Sequence, residues 1–304
     1  MFRSLSSLLA AAALAGLAAC AAPAPPPQAV AGCTLERRAV LPLRNVRNFM
    51  LAPVTVNGKL ALFVVDTGAE ASTLTPQAAR ALNLPRDPGH GSVLLGISGP
   101  VRTANVRVRE FVVGDVVRTD QSIGLGEMPA FPGLHPPVAG LLGSDVLSHF
   151  EVDLDLPNGR MSLYEPRGCE HFTPWPDAVA VPIVRTRSGL AFVDAIVDGV
   201  TVRALLDTGA RTTLLTRETA ATLGITDARL AQDPRRTGIG IGMGGLDFRQ
   251  HRFAELGLPG AMQRDVPANV AELRLPGVEM LLGADYLGPR RIWISYPTNR
   301  LFLR

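Results

Sequence analysis

Two aspartates stand out by their surroundings. Asp66 follows Phe63-Val64-Val65 and precedes Thr67-Gly68-Ala69, and Asp207 follows Ala204-Leu205-Leu206 and precedes Thr208-Gly209-Ala210. A carboxylate at the end of a buried apolar strand is disfavoured, because desolvation opposes its charge. Chains keep such groups where two of them meet and share a proton, so that one member can give a proton while the other takes one. The same loop written twice predicts that meeting.

The elements that would position the two loops are repeated as well. Upstream, Leu41-Pro42-Leu43 matches Val181-Pro182-Ile183, and Val54-Thr55-Val56-Asn57-Gly58 matches Ala195-Ile196-Val197-Asp198-Gly199. Downstream, Leu141-Leu142-Gly143-Ser144-Asp145 matches Leu281-Leu282-Gly283-Ala284-Asp285. The offset stays at about 140 residues, far longer than a solenoid repeat, which indicates two duplicated lobes. A lone Asp-Thr-Gly arises by chance in roughly one chain in twenty of this length. A second copy with matching flanks does not.

Within each lobe the pattern is one of short alternating strands. Asn57-Gly58 and Asp198-Gly199 are two-residue hairpin signals. In each case the strand after the turn runs into the aspartate loop. Short helices are predicted after each loop, over Pro76–Leu82 behind Thr75 and over Arg217–Leu223 behind Thr216, and again after each Leu-Leu-Gly. Final strands are expected at 150–156, 161–164, 292–296 and 301–303. Many short strands with few helices predict a mainly β fold.

The first 33 residues read differently. Arg3, an apolar stretch from Leu5 to Ala19 and then Leu17-Ala18-Ala19-Cys20 fit a bacterial lipoprotein signal; an ordinary secretory signal cut slightly later also fits. The apolar stretch is short for a membrane span. Pro23, Pro25, Pro26 and Pro27 favour an extended polyproline-like tether, or simple disorder, in the segment that follows. The expected organisation is a signal peptide over 1–19, a tether over 20–33, an N-terminal lobe over 34–166, a connection over 167–178 and a C-terminal lobe over 179–304. With Cys20 lipidated, Cys33 and Cys169 remain as a pair flanking the first lobe, a disulfide candidate in an oxidising compartment or two buried thiols. Expected localisation is the cell envelope, lipid-anchored in the periplasm through Cys20. Ala21 lacks the Asp of inner-membrane retention and so leans toward the outer membrane.

Charge and motif content narrow the classes. The formal net charge is +3, carried by scattered arginines with Lys59 the only lysine, and aromatics are few. This offers no basic stripe or stacking platform, so no nucleic-acid partner is expected. The five histidines show no metal-ligand spacing, so neither metal nor cofactor is expected. Gly240-Ile241-Gly242-Met243-Gly244-Gly245 fits Gly-x-Gly-x-x-Gly but lacks the βαβ context of a dinucleotide site.

The apolar-Asp-Thr-Gly-Ala loops at Asp66 and Asp207, with the later Leu141-Leu142-Gly143 and Leu281-Leu282-Gly283, resemble the retropepsin-like aspartic proteases, the retroviral-type branch of the pepsin clan. The resemblance covers both lobes and is nearest in style to bacterial members with a Leu-Leu-Gly-x-Asp ending. It implies two homologous acid-protease lobes in one chain related by a pseudo-twofold, with one Asp from each lobe in a shared cleft, active as a monomer on a polypeptide substrate. The resemblance further implies a water-activating pair in Asp66 and Asp207, threonines Thr67 and Thr208 bonding across the lobes, and glycines Gly68 and Gly209 permitting tight turns. Glu70 and Arg211 would stand at the cleft edge, where substrate contact, solvation and an interlobe salt bridge are alternatives. Gly96, Ile97 and Gly99 would form one flap tip and Gly242, Met243 and Gly245 the other. Ala69 and Ala210 supply no hydroxyl to the carboxylates, so the pair should titrate high and activity should peak nearer weakly acidic or neutral pH. The function so implied is an aspartic endopeptidase of cell-envelope proteins. The alternatives are a catalytically silent peptide-binding envelope lipoprotein on the same fold and a purely structural one.

Overall fold

The computed structural model describes residues 32–97, 99–239, 245–273 and 275–304. The expected signal peptide, Cys20, nearly all of the tether, and Gly242 and Met243 of the second flap lie outside the described residues.

Each lobe begins its sheet with the hairpin its sequence announces. Phe49–Val56 turns into Lys59–Val65 through Asn57 (φ 48°) and Gly58 (φ 78°), and Ala191–Val197 turns into Val200–Leu206 through Asp198 (φ 47°) and Gly199 (φ 80°). Two consecutive left-handed residues match the twist of the flanking strands, which is why Asn-Gly and Asp-Gly are chosen. The second strand of each hairpin then runs beside the Leu-Leu-Gly strand in parallel, with Val64 opposite Leu141 and Leu205 opposite Leu281. Such strands are buried on both faces, hence their unbroken apolar runs.

After each aspartate loop comes a short strand, Thr73–Leu74 or Leu214–Thr216, and then a helix, Pro76–Ala81 or Arg217–Thr222. Thr75 and Thr216 cap these helices by accepting from the amides of Ala78 and Thr219. The eight-stranded sheets of the two lobes have the same strand order, and each closes partly on itself through an extra pairing of its first hairpin with the long hairpin that follows the helix. The fold is mainly β with two homologous lobes, as the sequence predicted.

Three features lay beyond that reading. A short helix, Asp227–Leu230, stands in the second lobe with no counterpart in the first. The strands Arg86–Gly96, Gly99–Val113 and Val116–Leu125 are far longer than the flap tip alone suggested. Most consequential is a six-stranded sheet built by both lobes, in which Glu151–Asp155 pairs antiparallel with Arg291–Ser295 and Val152 lies opposite Ile294. The acidic residues of the Glu151–Asp155 strand are buried and satisfied. Arg291 makes two bonds to Asp153 (2.9 and 2.7 Å), and Glu151 accepts from the Trp293 ring N–H at 2.5 Å and the Ser295 hydroxyl at 2.7 Å. One apolar core runs through this sheet into both lobes, from Phe63 and Val65 through Val152 and Ile294 to Leu206 and Phe253.

Cys33 and Cys169 are joined in a disulfide (Cα–Cα 4.5 Å) beside the pairing of Thr34 with Arg167. The segment read as a plain connection is in fact packed. Phe172 and Trp175 are buried around Trp293, because a strand shared between lobes needs cover on its outer face.

Candidate active site

Asp66 and Asp207 emerge from strand ends of different lobes and meet, each carboxyl group lying against the loop glycine of the opposite lobe, Gly209 and Gly68. Asp66 is buried, while Asp207 is partly open to the cleft. What sets the meeting is the backbone behind them. The Thr67 hydroxyl donates to the Leu206 carbonyl (2.7 Å) and accepts from the Thr208 amide (3.1 Å). Reciprocally, the Thr208 hydroxyl donates to the Val65 carbonyl (2.7 Å) and accepts from the Thr67 amide (3.1 Å). Each threonine thus grips the residue that precedes the opposite aspartate. Both hydroxyls are buried with donor and acceptor roles satisfied, so neither loop can slide without orphaning buried polar groups.

The amides of Gly68 and Gly209 reach the carboxylates of their own loops, and the two glycines answer a second demand as well. Neither has a left-handed φ. A Cβ on Gly68 would lie 2.5 Å from the Asp207 carboxyl carbon, and one on Gly209 would lie 2.3 Å from that of Asp66. Glycine is required here by the approach of the other lobe's carboxylate, which no turn propensity in the sequence could report.

The two carboxylates differ in their surroundings. Asp66 accepts from the Gly68 amide at 3.0 Å; Asp207 accepts from both Gly209 (2.9 Å) and Ala210 (2.8 Å) on the same oxygen. Burial raises the pKa of both. For Asp66 the negative charge of Asp207 raises it further, well above the ordinary range, and at both acids the amides of the following loop work against the rise. The pair therefore holds a proton to higher pH than free carboxylates do.

Behind each loop stands a clamp that the repeat displayed without revealing its role. Asp145 accepts from the amide and hydroxyl of Ser72 (both 2.7 Å), and Asp285 accepts from the amide and hydroxyl of Thr213 (both 2.8 Å). Those hydroxyls in turn accept from the amides of Gly143 (3.0 Å) and Gly283 (3.1 Å). The sequence signal was present: an Asp ends each Leu-Leu-Gly-x-Asp, and a Ser or Thr stands at the same place in each loop. The Leu-Leu-Gly strands pack behind the aspartates, with Leu142 and Leu282 carbonyls accepting from the Asp66 (3.0 Å) and Asp207 (3.1 Å) amides.

Glu70 and Arg211 line the cleft but do not pair with each other. Each instead reaches a turn of the opposite lobe. Glu70 accepts from the Ser188 hydroxyl (2.8 Å), and Arg211 donates through Nε to the Arg47 carbonyl (2.7 Å). The strands Arg86–Gly96 and Gly99–Val113 form the first flap, with Gly96 opposite Gly99 at the tip. Ile97 beyond them packs on an apolar cluster of the second lobe. The second flap pairs Ile239 with Gly245. The flaps and loops enclose a cleft of about 820 Å³ with both aspartates in its wall. Among the described residues no three His, Cys, Asp or Glu side chains gather as a metal site.

Comparison with known families gives two matches. Residues 52–146 match the family described as aspartyl protease, and residues 193–289 match that described as "gag-polyprotein putative aspartyl protease". Each match spans one Asp-Thr-Gly loop and its Leu-Leu-Gly strand. No curated protein matches the sequence. Among solved structures, a crystal structure of a retropepsin-like aspartic protease from Rickettsia conorii is similar at 24% identity, covering 42% of this chain and 91% of that one with a TM-score of 0.34.

Proposed function

Because this chain is a single-chain, two-lobe member of the retropepsin-like aspartic protease family, we propose that it is an endopeptidase whose working groups are Asp66 and Asp207. The observation that carries this reading is the meeting of two carboxyl groups, each with a raised pKa, in the wall of an 820 Å³ cleft. Asp207, as the anionic member, takes a proton from a water lying between the pair and the substrate. Asp66 donates its proton to the carbonyl oxygen of the scissile bond as that water attacks. As the tetrahedral intermediate collapses, Asp207 passes its proton to the departing amine and Asp66 recovers one from the gem-diol hydroxyl, which restores the singly protonated pair with no covalent intermediate. The threonine lacing keeps the two acids in register, and flap closure excludes competing water.

Its substrates on this proposal are polypeptides of the cell envelope, with the chain held at a membrane by lipid on Cys20 after signal cleavage. Leu17-Ala18-Ala19-Cys20 and the proline-rich tether support that placement, and the Cys33–Cys169 disulfide suits an oxidising compartment. The test is incubation of the full chain with a peptide library between pH 3 and pH 9 beside the Asp66→Asn and Asp207→Asn variants. Cleavage by the native protein and its loss in both variants is expected. Unchanged cleavage in either variant would remove the dyad, and peptide binding without cleavage at any pH would leave a silent binding protein.

A further inference from the structure

The two halves of the cleft are related by the pseudo-twofold, so any charge difference between them is a difference in what they select. Strand register fixes the equivalences. The Arg107 amide donates to the Pro85 carbonyl (2.9 Å), as the Gln250 amide does to Pro234 (3.0 Å). Asp87 therefore corresponds to Arg236, and Arg107 to Gln250. The short strands give a second pair, since Gly124 lies opposite Thr73 where Asn269 lies opposite Leu214.

In the first lobe these positions cancel. Asp87 and Arg107 form an ion pair at 3.2 Å. In the second lobe, Arg236 and Gln250 both line the cleft, and the cation has lost its counter-charge. Four residues after each catalytic aspartate the contrast recurs as Glu70 against Arg211. Arg118, the remaining cleft arginine, is neutralised by Asp145 at 3.2 Å. Among the described residues neither Arg211 nor Arg236 forms an ion pair, and Arg211 spends only its Nε on the Arg47 carbonyl. Hydrogen-bonding capacity is skewed the same way. Ala71 and Gly124 in one half are Thr212 and Asn269 in the other, where the Asn269 amide donates to the Thr212 hydroxyl at 2.7 Å. Two unmatched cations make this a half-site that favours an anion.

We propose that the second-lobe half of the cleft, through Arg211 and Arg236, selects substrates carrying an acidic side chain on one side of the scissile bond, while Glu70 disfavours the same residue on the other side. This rests on the endopeptidase reading above for its use, though not for the charge pattern itself. Like charges at Glu70 and opposite charges at Arg211 and Arg236 act in the same direction, so the cleft also fixes which way the peptide lies.

The test uses three peptides sharing one cleavable apolar core, with neutral Gln on both sides, Glu on the amino side, or Glu on the carboxyl side. They are assayed with the full chain at low salt, and in parallel their binding to Asp66→Asn is read by fluorescence anisotropy. One Glu peptide should exceed the neutral one in kcat/KM and in affinity by roughly tenfold, the other should not, and the preference should shrink above about 0.5 M salt. Arg236→Gln, whose side chain makes no hydrogen bond among the described residues, and Arg211→Gln should each lower the Glu-to-Gln ratio by about threefold. Equal handling of all three peptides, or a ratio unmoved by both substitutions, overturns the inference. Cleavage without preference would sink the charge selection and leave the protease; preference in binding without cleavage would do the reverse.

Discussion

Gly209→Ala isolates the geometric requirement of the site better than removal of an acid does. Its φ lies outside the left-handed region, so alanine carries no backbone penalty there. The whole effect must come from the new Cβ, which would stand 2.3 Å from the Asp66 carboxyl carbon and 2.4 and 2.5 Å from its oxygens. Carbon atoms rest at about 3.5–4.0 Å, so something must yield by more than about 1 Å. Asp66 has a short side chain held by the Gly68 amide, its own amide is bonded to Leu142, and the flanking backbone is gripped by Thr208. The loops must therefore part or the carboxyl must rotate out of the pair. Displacement of a catalytic group by about 1 Å costs on the order of 100-fold in rate, and overpacking costs about 1–3 kcal/mol of stability. Steady-state cleavage of a peptide substrate should thus show kcat/KM at least about 100-fold down, with a modest fall in Tm. Gly199→Ala provides the contrast. With φ 80° and nothing within 4 Å of its Cβ, it should lose about 1–2 kcal/mol of stability through its backbone and leave cleavage intact. A Gly209→Ala protein within threefold of native activity would refute the argument that the opposing carboxylate dictates glycine there.

Four further outcomes can be measured. Thr67→Val keeps shape but leaves the Leu206 carbonyl and Thr208 amide unsatisfied, so urea unfolding should show a loss of about 2–4 kcal/mol; a loss below 1 kcal/mol would deny the lacing its role. Both dyad pKa values are raised in the folded protein, so stability is intact below the ordinary carboxylate range and is lost as pH rises through the folded pair's raised pKa. Asp66→Asn removes that loss, and its unfolding free energy relative to native should climb between pH 4 and pH 8; a pH-independent difference would contradict the assignment. The same upward shift places the bell-shaped activity profile above that of unperturbed carboxylates, and a maximum well below pH 4 would count against it. Replacing both Cys33 and Cys169 by Ser opens a loop of 136 residues, worth up to about 5 kcal/mol in the chain-entropy model, with the Thr34–Arg167 strand pairing retaining part of the closure. Thermal melts of the double variant should fall without loss of peptide cleavage at 25 °C.

How much was legible follows from the range of each interaction. The Asn57-Gly58 and Asp198-Gly199 turns, the Thr75 and Thr216 caps and the apolar strands into each aspartate are set within a few residues, and the sequence displayed them directly. The repeat itself revealed that two carboxylates would face each other. Glu151, Asp153 and Asp155 could not be placed the same way. An alternating acidic strand reads as half solvated, yet partners about 140 residues away, Trp293, Ser295 and Arg291 among them, bury it between the lobes. Asp145 and Asp285 were visible as repeated letters whose task needed the Ser72 and Thr213 hydroxyls beside them.

Local chemistry, then, determined the loops, their turns and their number, because backbone propensity and apolar spacing act over short stretches of chain. Only the assembled lobes decided that the two acids hold a proton to raised pH, why residues 68 and 209 must be glycine, and where Glu70, Arg211 and Arg236 leave charge unmatched. Those properties depend on distances between atoms far apart in sequence, and desolvation, steric exclusion and Coulomb attraction respond to distance alone.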